Sequence, residues 1–178
     1  MAICIQNHAA LIYCVSSISS SDRDLLLSYG RTAPVVLAPN LSFGHWLQLQ
    51  LIDLVASSLA GLPNAPYVSV YERHPRTKAD RPSASALQLA ERWDAAYGVP
   101  VREVASYRAG ARVSGHRIDV DLDGESLTIH HEVTELGSAA RGAVLLADWA
   151  AEQGPGVYDA QEVFGMIFGR KLLDDNSY

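Results

Sequence analysis

Cysteine is nearly absent from this chain, which holds two in 178 residues, Cys4 and Cys14. They have neither C-x-x-C spacing nor cysteine or histidine companions at zinc-module distances, so neither a disulfide framework nor a structural zinc module organises the fold. They read as reduced, buried-type thiols of a cytosolic protein. An excess of positive charge is missing too. Fourteen Lys and Arg stand against twenty Asp and Glu, a net charge of −6, which argues against a general nucleic-acid or anionic-membrane binder, since either needs a basic face. Long apolar runs are also lacking. In the N-terminal segment the longest is Ala9–Val15, too short to span a bilayer, and no basic region precedes it as in a secretory leader. A cytoplasmic protein without membrane contact is expected. There are no internal repeats and no low-complexity segments.

What the chain does have is apolar content, 48% of its residues, enough for one compact domain or a domain with a short satellite. Ala10–Val15 reads as a short buried strand followed by a serine-rich turn. The stretch DRDLLLSY, capped by a serine or Asp22 and stopped by Gly30, reads as a helix. Pro34–Ala38 is a second buried strand, and Phe43–Leu59 carries apolar residues at helical spacing. This β–α–β–α order resembles the closing part of a parallel, doubly wound sheet. From Tyr67 the pattern changes. YVSVYE alternates as a strand, and Ser83 caps a helix reaching Tyr97. Three strand-like runs follow at 101–107, 115–122 and 126–133, the last two joined by a turn at Gly124. Ser138–Ala151 reads as another helix, and the tail ends in a short one.

Charge is uneven along this layout. A chain only 19% charged collects His74, Arg76, Lys78, Asp80 and Arg81 between the strand 67–72 and the helix start at Pro82-Ser83-Ala84-Ser85. A helix N-terminus offers free N–H groups and partial positive charge to an anion. Ser83 and Ser85 add hydroxyls, and Lys78 with Arg76 or Arg81 adds full charges. His74 is the group here able to exchange a proton near neutral pH. The combination suits a small carboxylate with an acid/base group above it.

The order Glu72-x-His74-Pro75-x-x-Lys78-x-Asp80-x-Pro82-Ser83-Ala84-Ser85-Ala86 resembles the catalytic signature E-x-H-H-x-x-K-x-D-x-P-S-G-T-A of dihydrodipicolinate reductase. Three further segments resemble that family in the same order. They are Ala38-Pro39-Asn40-Leu41-Ser42-Phe43-Gly44, then Ser106-Tyr107-Arg108-Ala109-Gly110 with His116 downstream, then Arg141-Gly142-Ala143 with Gly156–Asp159. The resemblance implies an α+β fold: a mixed sheet like the reductase C-terminal domain with helices on one face, preceded by a truncated α/β Rossmann remnant. It implies the remnant at 1–44, with 156–178 packing back on it, and a substrate and oligomerisation domain at 45–155. It further implies His74 and Lys78 as catalytic residues, and Asn40, Arg76, Ser83, Ala84 and Ser85 as substrate-binding ones.

The departures bear on cofactor use. The family's pyrophosphate cradle is a glycine-rich loop, and no G-x-x-G-x-x-G run occurs in this sequence. The family's second cofactor-facing loop, G-T-T-G-F, is Cys14-Val15-Ser16-Ser17-Ile18, without the glycines that permit close backbone approach. Pro75 replaces the second histidine of the signature, Ala84-Ser85 its Gly-Thr, and Leu136 an arginine. The expectation is therefore an enzyme with no nicotinamide cofactor and no metal. It would catalyse a proton transfer (cyclisation, isomerisation or dehydration) on a carboxylate- or carbonyl-bearing small molecule, in a biosynthetic and specialised pathway. An NAD(P)H-dependent reductase and a non-catalytic scaffold are the alternatives, and a homo-oligomer, dimer or tetramer, is expected under each. His130-His131-Glu132 is not expected to chelate, because strand neighbours face opposite sides. His116 reads as structural, Trp46, Trp93 and Trp149 as packing residues, and Asp121 and Asp123 as turn residues.

Overall fold

Val35 and Val36 lie side by side along the chain and both are fully buried, the mark of a strand covered on both faces, as in a parallel sheet. They belong to an architecture that a computed structural model describes for residues 2–15, 18–110 and 114–174. The order is α1 (Ala2–Asn7), β1 (Leu11–Tyr13), α2 (Ser20–Tyr29), β2 (Pro34–Leu37), α3 (Phe43–Leu59), β3 (Tyr67–His74), α4 (Ala84–Tyr97), β4 (Glu103–Arg108), β5 (Ser114–Leu122), β6 (Glu125–Val133), α5 (Gly137–Ala151), β7 (Gly156–Asp159) and α6 (Ala160–Asp174). Two compact units result, one of residues 1–43 and 137–178, the other of residues 44–136.

The first unit is a parallel three-stranded sheet, β1-β2-β7, as the β–α–β pattern predicts. Leu26 and Tyr29 of α2 pack with Ala33 and Val35 into its core. Ser19, not Asp22, caps α2, its hydroxyl accepting from the Asp22 amide at 3.1 Å. The tail contributes β7 beside β2 and then a helix longer than expected. β7 escapes the sequence reading because its four residues hold too little apolar signal to stand out. α1 was not anticipated either. Helix α5 packs on β1 and β2 and so belongs to this unit, whereas the sequence reading placed 137–155 with the following domain. Its Leu146 and Ala150 are fully buried, and Gly142 lies against the Leu41 carbonyl, where a Cβ would come within 1.9 Å of the oxygen.

The second unit carries a four-stranded mixed sheet, β4-β3-β5-β6. β3 pairs parallel with β4 and antiparallel with β5, and β5 and β6 form a hairpin. Gly124, at φ +87°, takes the left-handed position that the Asp123-Gly124 turn requires. α3 and α4 cover one face. Leu49, Ile52 and Ala56 of α3 and Ala86, Leu89 and Trp93 of α4 meet Val68, Val70, Ile118 and Val120 of the central strands. Ser83 caps α4 as predicted, and Gly98 ends it in the left-handed conformation. The resulting α+β fold agrees with the sequence reading. Trp46 and Trp93 are buried and Trp149 is half-buried.

Candidate active site

Strand β3 runs two residues further than its alternation suggested, so Arg73 and His74 continue the ladder instead of starting the loop. Its buried positions fall on every second residue: Val68, Val70, Glu72, His74. The first two are apolar and close the core. The next two are polar, on the same face, directly past the core's end.

Register then assembles the site. Ser106 of β4 and His116 of β5 sit opposite Glu72, and Arg108 sits opposite His74. His131 of β6 stands opposite His116. Directly paired residues share a face, so one row of polar side chains, Ser106, Glu72, His116 and His131, crosses all four strands. α3 lies close above its end: a Cβ on Gly44 would meet the His131 ring at 2.6 Å. Gln48 of the same helix donates to the carbonyls of His116 and Ile129 at 3.0 and 3.1 Å. His45 bonds Gln88 of α4 at 2.8 Å.

Glu72 is the hub. It is fully buried, and its Oε1 accepts from the Arg108 guanidinium at 2.7 Å and the Ser106 hydroxyl at 2.6 Å. Its Oε2 accepts from the Ser83 amide at 3.1 Å and faces the Nε2 atoms of His74 at 3.4 Å and His116 at 4.0 Å. Burial alone would raise this carboxyl. The bonds from Ser106, Ser83 and Arg108 outweigh it and hold the group down to about 2, ionised throughout the neutral range.

The two imidazoles face each other, Nε2 to Nε2, at 3.1 Å, with the Ser83 hydroxyl 3.3 Å from His116. Such a contact needs one nitrogen to donate and the other to accept, so the rings hold opposite tautomers at that position. Burial pushes His116 down to about 3, helped by the neighbouring His74 and His45. It also lowers His74, against the pull of Glu72 and with the push of Lys78 and Arg108. Both rings are therefore neutral near pH 7.

The loop between β3 and α4 is tied down from the same hub. Arg108 Nε donates to the Lys78 carbonyl at 3.3 Å, and one of its terminal nitrogens donates to the Asp80 carbonyl. Lys78 is a third exposed and pairs with Asp80 at 2.9 Å. Of the residues singled out in the sequence, His74, Lys78 and Ser83 are thus gathered around one centre. Ser83 turns inward, with its amide on Glu72 and its hydroxyl accepting from the Ala86 amide at 3.2 Å. Ala84 and Arg76 are exposed and Ser85 is half-buried. Asn40 lies in the first unit, its Oδ1 accepting from the Ser42 amide at 2.9 Å. The sequence reading missed Glu72 and Arg108 as structural hubs, and it took His116 for a framework residue where the structure sets it against His74. The signal available was the period-two phase of β3 and β5, which puts residues 72, 74 and 116 on the core face. Asp121 and Asp123 are exposed at the hairpin turn, and His130 is exposed while His131 is half-buried, as the alternation predicts.

A pyrophosphate finds poor support in the described βαβ unit. α2 carries Asp22 in its first turn, its carboxylate accepting from the Ser19 hydroxyl at 2.7 Å, so negative charge already lies at the helix N-terminus. Val15, in the segment where the reductase loop carries glycines, is branched and exposed. Ser16 and Ser17 of that loop lie outside the described residues. The described residues of this βαβ unit offer no glycine-rich cradle.

Fold and polar row together define an α+β domain with a buried polar cluster at the ends of its central strands. More narrowly, this chain belongs to the dihydrodipicolinate reductase family. The model of that family's C-terminal part, "Dihydrodipicolinate reductase, C-terminus", matches residues 44–164. The 4-hydroxy-tetrahydrodipicolinate reductase of Hahella chejuensis is 32% identical over 185 residues, covering 93% of this chain and 68% of the relative. That of Pseudomonas fluorescens is 30% identical with the same coverage. Among solved structures, the dipicolinate-bound dihydrodipicolinate reductase of Paenisporosarcina sp. TG-14 superposes with a TM-score of 0.68 at 18% identity, covering 91% of this chain and 67% of that one, a likeness of fold. No helix among the described residues is long and apolar enough to cross a membrane.

Proposed function

We propose that this chain catalyses a proton-transfer reaction (cyclisation, isomerisation or dehydration) on a carboxylate- or carbonyl-bearing small molecule, without a nicotinamide cofactor, in a specialised biosynthetic pathway of the cytoplasm. The observation that carries the reading is the buried Nε2-to-Nε2 contact of His74 and His116 over the ionised Glu72, beside Lys78. A neutral imidazole has a lone pair with which to accept a proton at pH 7. When His74 takes a proton, the Glu72 carboxylate at 3.4 Å stabilises the imidazolium. Lys78 holds the substrate carboxylate or polarises its carbonyl, and the start of α4, with Ala84 and Ser85, presents amides and a hydroxyl to the same anion. Arg76, exposed on the loop, adds charge for capture.

The test uses chelator-treated protein in deuterium oxide with a panel of cyclic imine and 2-oxo dicarboxylates. Wild type incorporates solvent deuterium at a carbon position of one of them, while His74→Ala and Lys78→Ala lose that activity by about 100-fold or more. If both variants retain full turnover, the site assignment is wrong.

The second reading is an NAD(P)H-dependent reductase, favoured by the two reductases at 30% and 32% identity. Calorimetric titration with NADH and NADPH separates the two, since saturable micromolar binding would support the reductase. We further propose a homo-oligomer, dimer or tetramer. Support comes from the sheet face opposite α3 and α4, where Tyr67 and Tyr107 are about half exposed and Arg117 stacks on Tyr71 at 5.2 Å. Light scattering reads the mass directly, and a monomer at micromolar concentration would count against it.

A further inference from the structure

We propose that Glu72, His74 and His116 form a binding site for a divalent transition metal of the zinc class. The ligand atoms are Oε2 of Glu72 and the Nε2 atoms of the two histidines, all on buried side chains. Their separations are 3.1 Å between the nitrogens, and 3.4 and 4.0 Å from each nitrogen to the oxygen. A metal held tetrahedrally at bonds of about 2.0–2.1 Å spaces its ligand atoms about 3.4 Å apart, so the triangle already has the size of one face of such a tetrahedron.

The chemistry of the set agrees with the geometry. Two imidazoles and one carboxylate make up the catalytic zinc pattern of three protein ligands with a fourth position left open. The metal would replace the proton that now lies between the two nitrogens. Arg108 and Ser106 are directed at Oε1. They therefore orient the carboxylate from behind, as outer-shell partners do, and leave Oε2, which also accepts from the Ser83 amide at 3.1 Å, facing the rings. The Arg108 charge offsets that of Glu72, so a bound dication keeps excess positive charge and favours an anion in its fourth position. His74 is the ligand nearest solvent, at 7% exposure against 3% for His116 and none for Glu72, which puts the entry path on its side.

A metal here occupies the His74 nitrogen and Glu72 oxygen that the proton-transfer reading leaves metal-free, so the two are alternatives for one centre, and the test reads binding, not turnover. Full-length protein stripped with a chelator is titrated with Zn2+ in competition with a chromophoric chelator, and with Co2+ followed by its visible absorption. Wild type takes up one equivalent and develops a low-symmetry Co2+ spectrum. His116→Gln and His74→Gln each weaken Zn2+ by more than the roughly 10–100-fold that loss of an outer-shell partner costs, whereas exposed His130→Gln leaves affinity unchanged. Equal affinity in wild type and His116→Gln, or loss in His130→Gln, overturns the site. Because a variant of the buried row could misfold, X-ray absorption on zinc-loaded wild type gives an independent answer. Two imidazoles with one or two oxygens support the site, and coordination by a single imidazole or by oxygens alone overturns it.

Discussion

At the scale of single residues, Arg108 of β4 and Lys78 of the β3–α4 loop illustrate how differently two cations of one site are used. Arg108 is almost fully buried and joins the Glu72 carboxylate to two backbone carbonyls of the loop. Removing it leaves the buried Glu72 carboxylate without its cation, held by the Ser106 and Ser83 bonds alone, and breaking a buried ion pair typically costs about 3–5 kcal/mol. Lys78 is a third exposed and its partner Asp80 is half exposed, so water screens the pair and its contribution is below about 1 kcal/mol. Denaturant unfolding should therefore show Arg108→Ala destabilised by several kcal/mol and Lys78→Ala close to wild type. Equal losses would mean that the loop is held by something other than Arg108. The sequence displayed both residues but not this contrast, because burial of an arginine depends on a register formed between strands more than thirty positions apart in the chain. Pro75 was visible as a departure from the reductase signature. His116 was visible as a strand histidine downstream of a reductase-like segment, and its partner follows from the pairing of β3 with β5.

At the scale of elements, close approach explains what propensity does not. Helix α5 reads as a strong helix from its alanines and leucines, and by propensity Gly142→Ala should gain about 1 kcal/mol. The Leu41 carbonyl oxygen lies 1.9 Å from where that methyl would stand, and backbone cannot yield as a flexible side chain can. The clash wins, and Gly142→Ala is expected to lower the unfolding midpoint. A raised midpoint would show that the α5 contact is looser than described. The same point marks the limit of the sequence reading. Periodicity located α3 and α4 almost to the residue, since both have long apolar faces and α4 has a serine cap and a glycine stop. It assigned α5 to the wrong unit because an apolar stripe does not name the sheet it covers. β7 and α1 were missed because short segments carry little pattern.

At the scale of the whole molecule, buried histidines make stability depend on acidity. Burial lowers His45, His116 and His131, the latter two to about 3 and about 4. The unfolded chain takes up protons near the ordinary value of 6.5 while the folded state resists them, so the unfolded state binds more protons and stability falls with falling pH. The loss starts as pH drops through 6.5 and continues toward 4 and 3, the folded-state values of His131 and His116. Glu72 adds to it below 4.5, because its folded value is about 2. Denaturation midpoints of metal-free protein should decline steadily from neutrality into this range, and a flat profile would contradict neutral burial of the rings.

The central claim is that His74 and His116 share a proton over Glu72 and that a carboxylate ligand engages this centre. Nitrogen-15 correlation spectra of histidine-labelled, metal-free protein, recorded with and without pyridine-2,6-dicarboxylate as the probe, test it most directly. Neutral rings are expected at pH 7, one Nε2 protonated and its partner bare, with dicarboxylate shifting the His74 signals in a saturable way that Lys78→Ala abolishes. Imidazolium signals for both rings, or dicarboxylate that leaves His74 and His116 unmoved at saturating concentration, would contradict it.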